Sequence, residues 1–305
     1  MSSQVPITFL GGYSAWKGLL GVISFPDMLS SDTVFCRFFT YNAGEWGRCR
    51  DDFMFDGKSL TYLIKESDNY RAWWLLGKNG EAVEIRGGVP KIEQIPGAGL
   101  KGIDPYGYVN TIKNIGGELY VCGYGRQVYK RIDTQWVSIA NDILTRESAN
   151  GFFDIDGAES SHVCAVGWNG DIYFHDGQSW HKDDSPTNAH LTSVRCFTTE
   201  DIWICGNGGV VLHGGFNRWT LIKDDAFTGN WYCIEEYNGR VYLAGNGVLA
   251  YIDGNTIKAV DVGLDRAITT YRLHSNDGLL WSIGEKDILV FDGSSWREIT
   301  HPDNI

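Results

Sequence analysis

Seven histidines, at positions 162, 175, 181, 190, 213, 274 and 301, are the first residues to test for chemistry. None belongs to an HExxH motif or to another pair at metal-ligand spacing. His175 and His213 fall at the same position of two similar segments, which suits packing or a rim better than ligation. The seven cysteines (Cys36, Cys49, Cys122, Cys164, Cys196, Cys205, Cys233) form no CxxC pair. Cys122 and Cys205 each stand directly before a recurring glycine, so they read as small packing residues; a nucleophile needs an exposed site that stabilises the thiolate. Asp154-Ile-Asp156-Gly157 hints at a calcium loop but lacks a third oxygen ligand and the closing Glu. Gly206-Asn-Gly-Gly209 lies between strand-like runs, and without a following helix it offers no dipole end to a phosphate. No Gly-x-Ser-x-Gly elbow occurs. Adjacent carboxylates stand at Asp51-Asp52, Asp183-Asp184, Asp224-Asp225 and Glu235-Glu236. Neighbours on a strand point to opposite faces, whereas a glycosidase needs two carboxyls that converge. The first three pairs read as solvated loop charges. Neither a catalytic set nor a metal or cofactor site is expected.

The elements that would carry these residues repeat. An aromatic or Cys, two residues and a Gly lead into a tight turn, an alternating run, a Gly-containing second turn and usually a Trp. The recurring glycines are Gly77, Gly123, Gly167, Gly206, Gly245 and Gly284, spaced by 46, 44, 39, 39 and 39 residues. Runs such as Asp201–Cys205 and Asp287–Phe291 are short and rich in β-branched and aromatic residues, hence strands. Asn79-Gly80, Asn169-Gly170, Asn207-Gly208 and Asn246-Gly247 separate such runs and predict type I′ hairpin tips. Each unit therefore carries four strands in about 40 residues, the period of a propeller blade. A blade cannot bury both faces alone; stacking the next one covers them, and closing the ring removes the exposed ends. Seven of the 12 Trp (Trp74, Trp136, Trp180, Trp203, Trp219, Trp281, Trp296) fall in repeat columns and read as wedges between blades.

The expected fold is all-β: one domain over 1–305, a single β-propeller of four-stranded antiparallel blades, seven favoured and six the fallback. Residues 60–305 hold six recognisable repeats. Residues 1–59 would supply a degenerate seventh blade and the ring closure, with Gly47 and Asp56-Gly57 placed like Gly167 and Asp176-Gly177. From Gly57 to Gly77 there are only 20 residues, which implies a missing strand or one borrowed from 5–40.

The pattern resembles bacterial β-propeller repeats of the form aromatic-x-x-Gly-x-x-Gly-x-Ile-x-x-x-Asp-Gly-x-x-Trp, clearest over Cys164–Trp180. It is also similar to tectonin-type lectin repeats, and its ending to the Asp-box of sialidase-type propellers, although Asp and Gly are adjacent here. The resemblance spans roughly residues 60–300 and implies a fold rather than an activity, because propellers host many unrelated functions.

Charge narrows the function classes. The net charge is −12. Residues 1–150 carry 16 acidic and 16 basic side chains, and residues 151–305 carry 22 acidic and 10 basic, so all of the excess lies in the C-terminal half. Such a field repels nucleic acid and anionic membranes and favours a basic partner. No apolar run approaches bilayer length, and the segment Met1–Leu10 lacks a basic-then-apolar leader. A cytoplasmic protein with reduced thiols is expected.

What remains is surface. In such a ring, loops joining second and third strands share a face with the inter-blade connections. That face would present Tyr124, Trp168 and Asn169 from hairpin tips, with Asp183, Asp184, Asp224, Asp225, Asp261, Asp265 and Trp231 from the connections 182–192, 223–231 and 260–268. Aromatics ringed by charge suit an interface centre and rim. The leading expectation is a non-enzymatic, protein-binding propeller that captures a basic protein, of the inhibitor or immunity type. Alternatives are a lectin-like glycan binder using Trp168 and Tyr124, and a hydrolase or lyase with carboxylates lining the central funnel.

Overall fold

The computed structural model describes residues 5–102, 105–147 and 149–305. It forms seven four-stranded antiparallel sheets, each made of four consecutive strands, arranged as a ring. Blade 1 holds β1 (Ile7–Trp16), β2 (Leu19–Pro26), β3 (Arg37–Asn42) and β4 (Glu45–Arg48). Blade 2 holds β5 (Gly57–Lys65), β6 (Tyr70–Gly77), β7 (Glu81–Arg86) and β8 (Val89–Gln94). Blade 3 runs through β9 (Val109–Ile115), β10 (Glu118–Gly123), β11 (Val128–Ile132) and β12 (Gln135–Ser138), and blade 4 through β13 (Phe152–Glu159), β14 (His162–Gly167), β15 (Ile172–His175) and β16 (Trp180–Asp183). Blade 5 comprises β17 (Leu191–Cys196), β18 (Ile202–Gly206), β19 (Val211–Gly215) and β20 (Arg218–Ile222). Blade 6 comprises β21 (Trp231–Tyr237), β22 (Arg240–Gly245), β23 (Val248–Asp253) and β24 (Thr256–Ala259). Blade 7 ends the ring with β25 (Arg272–Asn276), β26 (Leu279–Ile283), β27 (Ile288–Phe291) and β28 (Trp296–Glu298). Helical structure among the described residues is limited to four single 3-10 turns.

Burial explains the period. The core divides into seven apolar clusters, and each spans one seam between neighbouring blades. Trp74 and Trp281 are fully enclosed in two of these seams, and Trp136 and Trp180 nearly so. Trp203, Trp219 and Trp296 are half-buried against the outer part of theirs. The fourth-strand indoles also reach back to the preceding blade: Trp180 Nε1 donates to Ile139 O at 2.8 Å, Trp219 Nε1 to Asp183 Oδ2 at 2.8 Å, and Trp46 Nε1 to Thr300 O at 3.0 Å.

The ring closes without exchanging a strand. Blade 7 packs on blade 1 through Trp281, Ile283, Val290 and Ile299 against Ile7, Phe9, Val22 and Phe39. The tail beyond β28 then lies over blade 1, where Asn304 Oδ1 accepts from Ile7 N at 2.9 Å and His301 sits among Phe9, Phe39 and Trp46.

The N-terminal blade is complete, but its register differs from the sequence expectation. Gly57 pairs with Gly77 as the opening residue of β5, so it is no counterpart of the turn at Gly177, and no strand is missing. Blade 1 ends at Arg48, and a division at residue 59 falls inside β5. In blade 1 the position of the recurring glycine is held by Ser24, paired with Phe9 just before the bulge at Leu10, which is why that copy is illegible by glycine spacing. The tips also depart from a uniform type I′ hairpin: in blade 4 both Asn169 and Gly170 have positive φ, but in blade 6 only Gly247 of Asn246-Gly247 does.

Candidate interaction face and axial funnel

Hairpin tips and inter-blade connections meet on one side of the ring, tied by backbone hydrogen bonds. Trp168 N donates to Gly151 O at 3.1 Å, Asn207 N to His190 O at 2.9 Å, and Tyr124 N to Tyr108 O at 2.8 Å. In blade 4 the tip is locked further: Asn169 N donates to His190 Nδ1 at 3.1 Å and Asn169 Nδ2 to Ala149 O at 3.1 Å. Gly170 beside it has φ of 78°, and a Cβ there would stand 2.0 Å from Thr187 O, so the approach of tip to connection requires glycine.

This clamp gathers four half-buried rings. Trp168 lies with its centroid 4.5 Å from His190, 5.3 Å from Phe153 and 5.9 Å from Tyr124. The sequence brought Tyr124, Trp168 and Asn169 to this face; Phe153 and His190 were missed because they sit outside the repeated aromatic columns.

The expected aspartates divide. Asp184, Asp225, Asp261 and Asp265 are exposed and Asp224 is half-exposed, and none of the five is ion-paired with a described residue. Asp224 is partly structural, accepting from Ala226 N at 3.0 Å and Ile257 N at 3.3 Å. Two residues expected on this face are inside the wall instead. Asp183 is only 2% exposed, its carboxylate accepting from Asp184 N, Asn217 N and Trp219 Nε1. Trp231 is 3% exposed in the seam between blades 5 and 6. The first residue of β21 faces a seam rather than solvent, as Phe152 and Leu191 do in their blades.

The axis holds a second arrangement that the sequence reading did not find. In six blades the first strand carries a β-bulge near its start, and the unpaired residue is Leu10, Lys58, Asn110, Phe153, Thr192 or Tyr232. A bulge re-aims a side chain, and these six, with Tyr271, line a funnel of about 460 Å³ around the axis. Deeper lies a cavity of about 360 Å³. At the same depth each first strand contributes one residue, giving a ring of Tyr13, Thr61, Lys113, Asp156, Arg195, Glu235 and His274.

That inner ring is a charge network. Arg195 meets Glu235 at 2.9 Å and Asp156 at 3.3 Å, while Lys113 lies 3.6 Å from Asp154 and 3.7 Å from Asp156. Burial pushes the Glu235 carboxyl up against the opposing pull of Arg195 and Lys113. Burial pulls on Lys113 as well, but Asp154 and Asp156 hold its ammonium above the ordinary range. Burial, with Arg195 and Lys113 adding to it, drives His274 down to about 3, so its imidazole is neutral. Asp154 and Asp156, which hinted at a calcium loop, are instead alternate residues of β13 facing these cations. Funnel carboxylates are thus present, and those of the inner ring, Asp156 and Glu235, are each paired with Arg195 or Lys113. The one legible signal was a charged or histidine residue every 39 to 43 residues, from Lys113 to His274, within the first strands.

The thiols serve packing. All seven cysteines are free, and burial raises those of Cys36, Cys122, Cys205 and Cys233. Among the described residues no helix is long and apolar enough to cross a membrane.

No protein-family profile matches the chain. By shape it is similar to a structure described as YCF48 bound to D1 peptide, with TM-score 0.67 and 16% identity over 95% of this chain and 92% of that one. It is equally similar to the WD40 β-propeller domain of Doa1, with TM-score 0.68 and 10% identity over 98% and 99% of the two chains. Likeness at such identity establishes the propeller fold. A relative in sequence is the immune protein Tsi7 of Pseudomonas aeruginosa, 30% identical over 294 residues that span 94% of this chain and 95% of that protein. The chain belongs to the family of that immune protein.

Proposed function

We propose that this protein is a non-enzymatic, immunity-type propeller that captures a basic protein on the face built from hairpin tips and inter-blade connections. The observation that carries the reading is the set of exposed, unpaired carboxylates beside an aromatic cluster on that face. Asp184, Asp225, Asp261 and Asp265 stand exposed around blades 4 to 6 with no ion-pair partner, beside the cluster of Tyr124, Phe153, Trp168 and His190. On the same side Asp52 is paired with Arg37 and Arg48, Asp171 with Arg126 and Asp287 with Arg266, while Asp51 and Asp142 add exposed carboxylates without an ion pair. Uncompensated charge at a rim accelerates encounter with an oppositely charged partner, and desolvated aromatics supply the lasting contacts.

Membership of the immune protein's family supports capture of a protein as the purpose of the face. Seven unpaired thiols support a reducing, cytoplasmic setting. The glycan alternative is less favoured, because aromatic tips occur in adjacent blades 3 and 4 and their rings pack on one another instead of standing as separate platforms. The test is capture of the native partner by the tagged chain, followed by measurement of its association rate over a range of ionic strength with charge-reversed variants of the rim.

A further inference from the structure

The funnel mouth has a charge sign opposite to the face around it. Its cations are Lys58 on the bulge of β5 and Arg272 at the start of β25. Lys58 makes no hydrogen bond or ion pair with a described residue. Asp56, the carboxylate nearest in sequence, is held by Lys78. The Arg272 guanidinium has one hydrogen bond, to Tyr232 O at 3.3 Å, and no carboxylate. Lys58 is exposed at the mouth, and desolvation there, with Lys78 and Arg272 nearby and against the pull of Asp56, holds its amine below its ordinary range. One carboxylate, the exposed Glu285, also borders the mouth beside Tyr271, leaving two cations to one anion there.

The walls between these cations are mostly apolar and aromatic. Tyr232 and Tyr271 stand with centroids 5.2 Å apart, Leu10 and Phe153 add apolar surface, and Asn110 and Thr192 are the polar side chains between them. A concave site of this size, mostly apolar with a few convergent polar groups, is the usual form of a ligand pocket. Six successive bulges aim its side chains inward, and none is needed to bury a seam.

We infer that the axial funnel is a binding site for a carboxylate carried beside an aromatic ring, with Lys58 and Arg272 holding the anion and Tyr232, Tyr271 and Phe153 the ring. Two sources share that chemistry: the C-terminus of a peptide ending in an aromatic residue, and a free aromatic acid. The inference goes beyond the interface reading; Phe153 borders both sites, but Lys58, Arg272, Tyr232 and Tyr271 belong to the funnel, so charge reversal of the rim aspartates leaves it untouched.

The test is calorimetric titration of the full chain with N-acetyl-Ala-Phe, with the same dipeptide as its C-terminal amide, and with phenylacetate. N-acetyl-Ala-Phe is expected to bind at least tenfold more tightly than its amide. Lys58→Gln should remove most of that preference without changing affinity for the amide, and Tyr232→Ala should weaken all three ligands. Phenylacetate weaker than the dipeptide identifies a peptide terminus as the natural source, and equal affinity identifies a free acid. Equal binding of acid and amide, no binding of any probe to the folded wild type, or indifference to Lys58→Gln would overturn the inference. Both substitutions are on the funnel surface, and unfolding curves of each variant separate a lost site from a lost fold.

Discussion

The carboxylate of Asp183, at the end of blade 4, accepts the indole N–H of Trp219 from blade 5 at 2.8 Å and the backbone N–H of Asn217 at 3.0 Å. One buried anion thereby fastens two blades at their outer edge. Removing it as Asp183→Ala leaves those donors unsatisfied and should destabilise the ring by about 2–3 kcal/mol, against about 1 kcal/mol for Trp219→Phe. Urea unfolding of both variants and of the double variant checks this. The double variant should cost less than the sum of the two, and partner association should be unchanged in Asp183→Ala.

Arg195 spans Glu235 and Asp156 at the floor of the axis. Replacing it by Met strands two buried carboxylates, which should cost about 3–5 kcal/mol, whereas adding Glu235→Leu should recover part of that loss. Thermal unfolding measures both. A single variant as stable as the wild type would mean that the network is wet enough to do without its cation.

Acid should loosen the ring closure through His301. Its imidazole is buried among Phe9, Phe39 and Trp46, and burial lowers its pKa to about 4 from an unfolded value near 6.5. The unfolded chain binds that proton first, so the contribution is intact above pH 6.5 and is lost as the pH falls towards 4. The urea midpoint should therefore decline through that window. His301→Phe, which keeps a ring in the cluster, should flatten the decline, leaving the share due to His274. A variant with the wild-type pH profile would remove His301 from the account.

Fold and site were unequally legible in the sequence. Seam packing repeats once per blade, so glycines such as Gly167 and indoles such as Trp180 printed the period, and blade number followed. Blade 1 stayed obscure because Ser24 holds the glycine position. Tip residues Tyr124 and Trp168 were legible because turns announce themselves locally. Burial was not: Asp183 and Asp184 look alike in sequence, yet one is a seam anchor and the other is exposed. The axial funnel was hidden for a different reason. A bulge shifts the strand by one residue and sends Lys58, Phe153 and Tyr232 to a face that strict alternation would not give them.

The most direct test of the interface account is the association rate of the purified native partner, measured from low to high ionic strength for the wild type and for Asp184→Lys/Asp225→Lys/Asp265→Lys. These three are exposed, and Asp224 is left in place because it caps its own loop. The account predicts association slowed about tenfold or more at low salt, a flattened salt dependence and an unchanged unfolding midpoint. Association as fast and as salt-dependent as the wild type would contradict it.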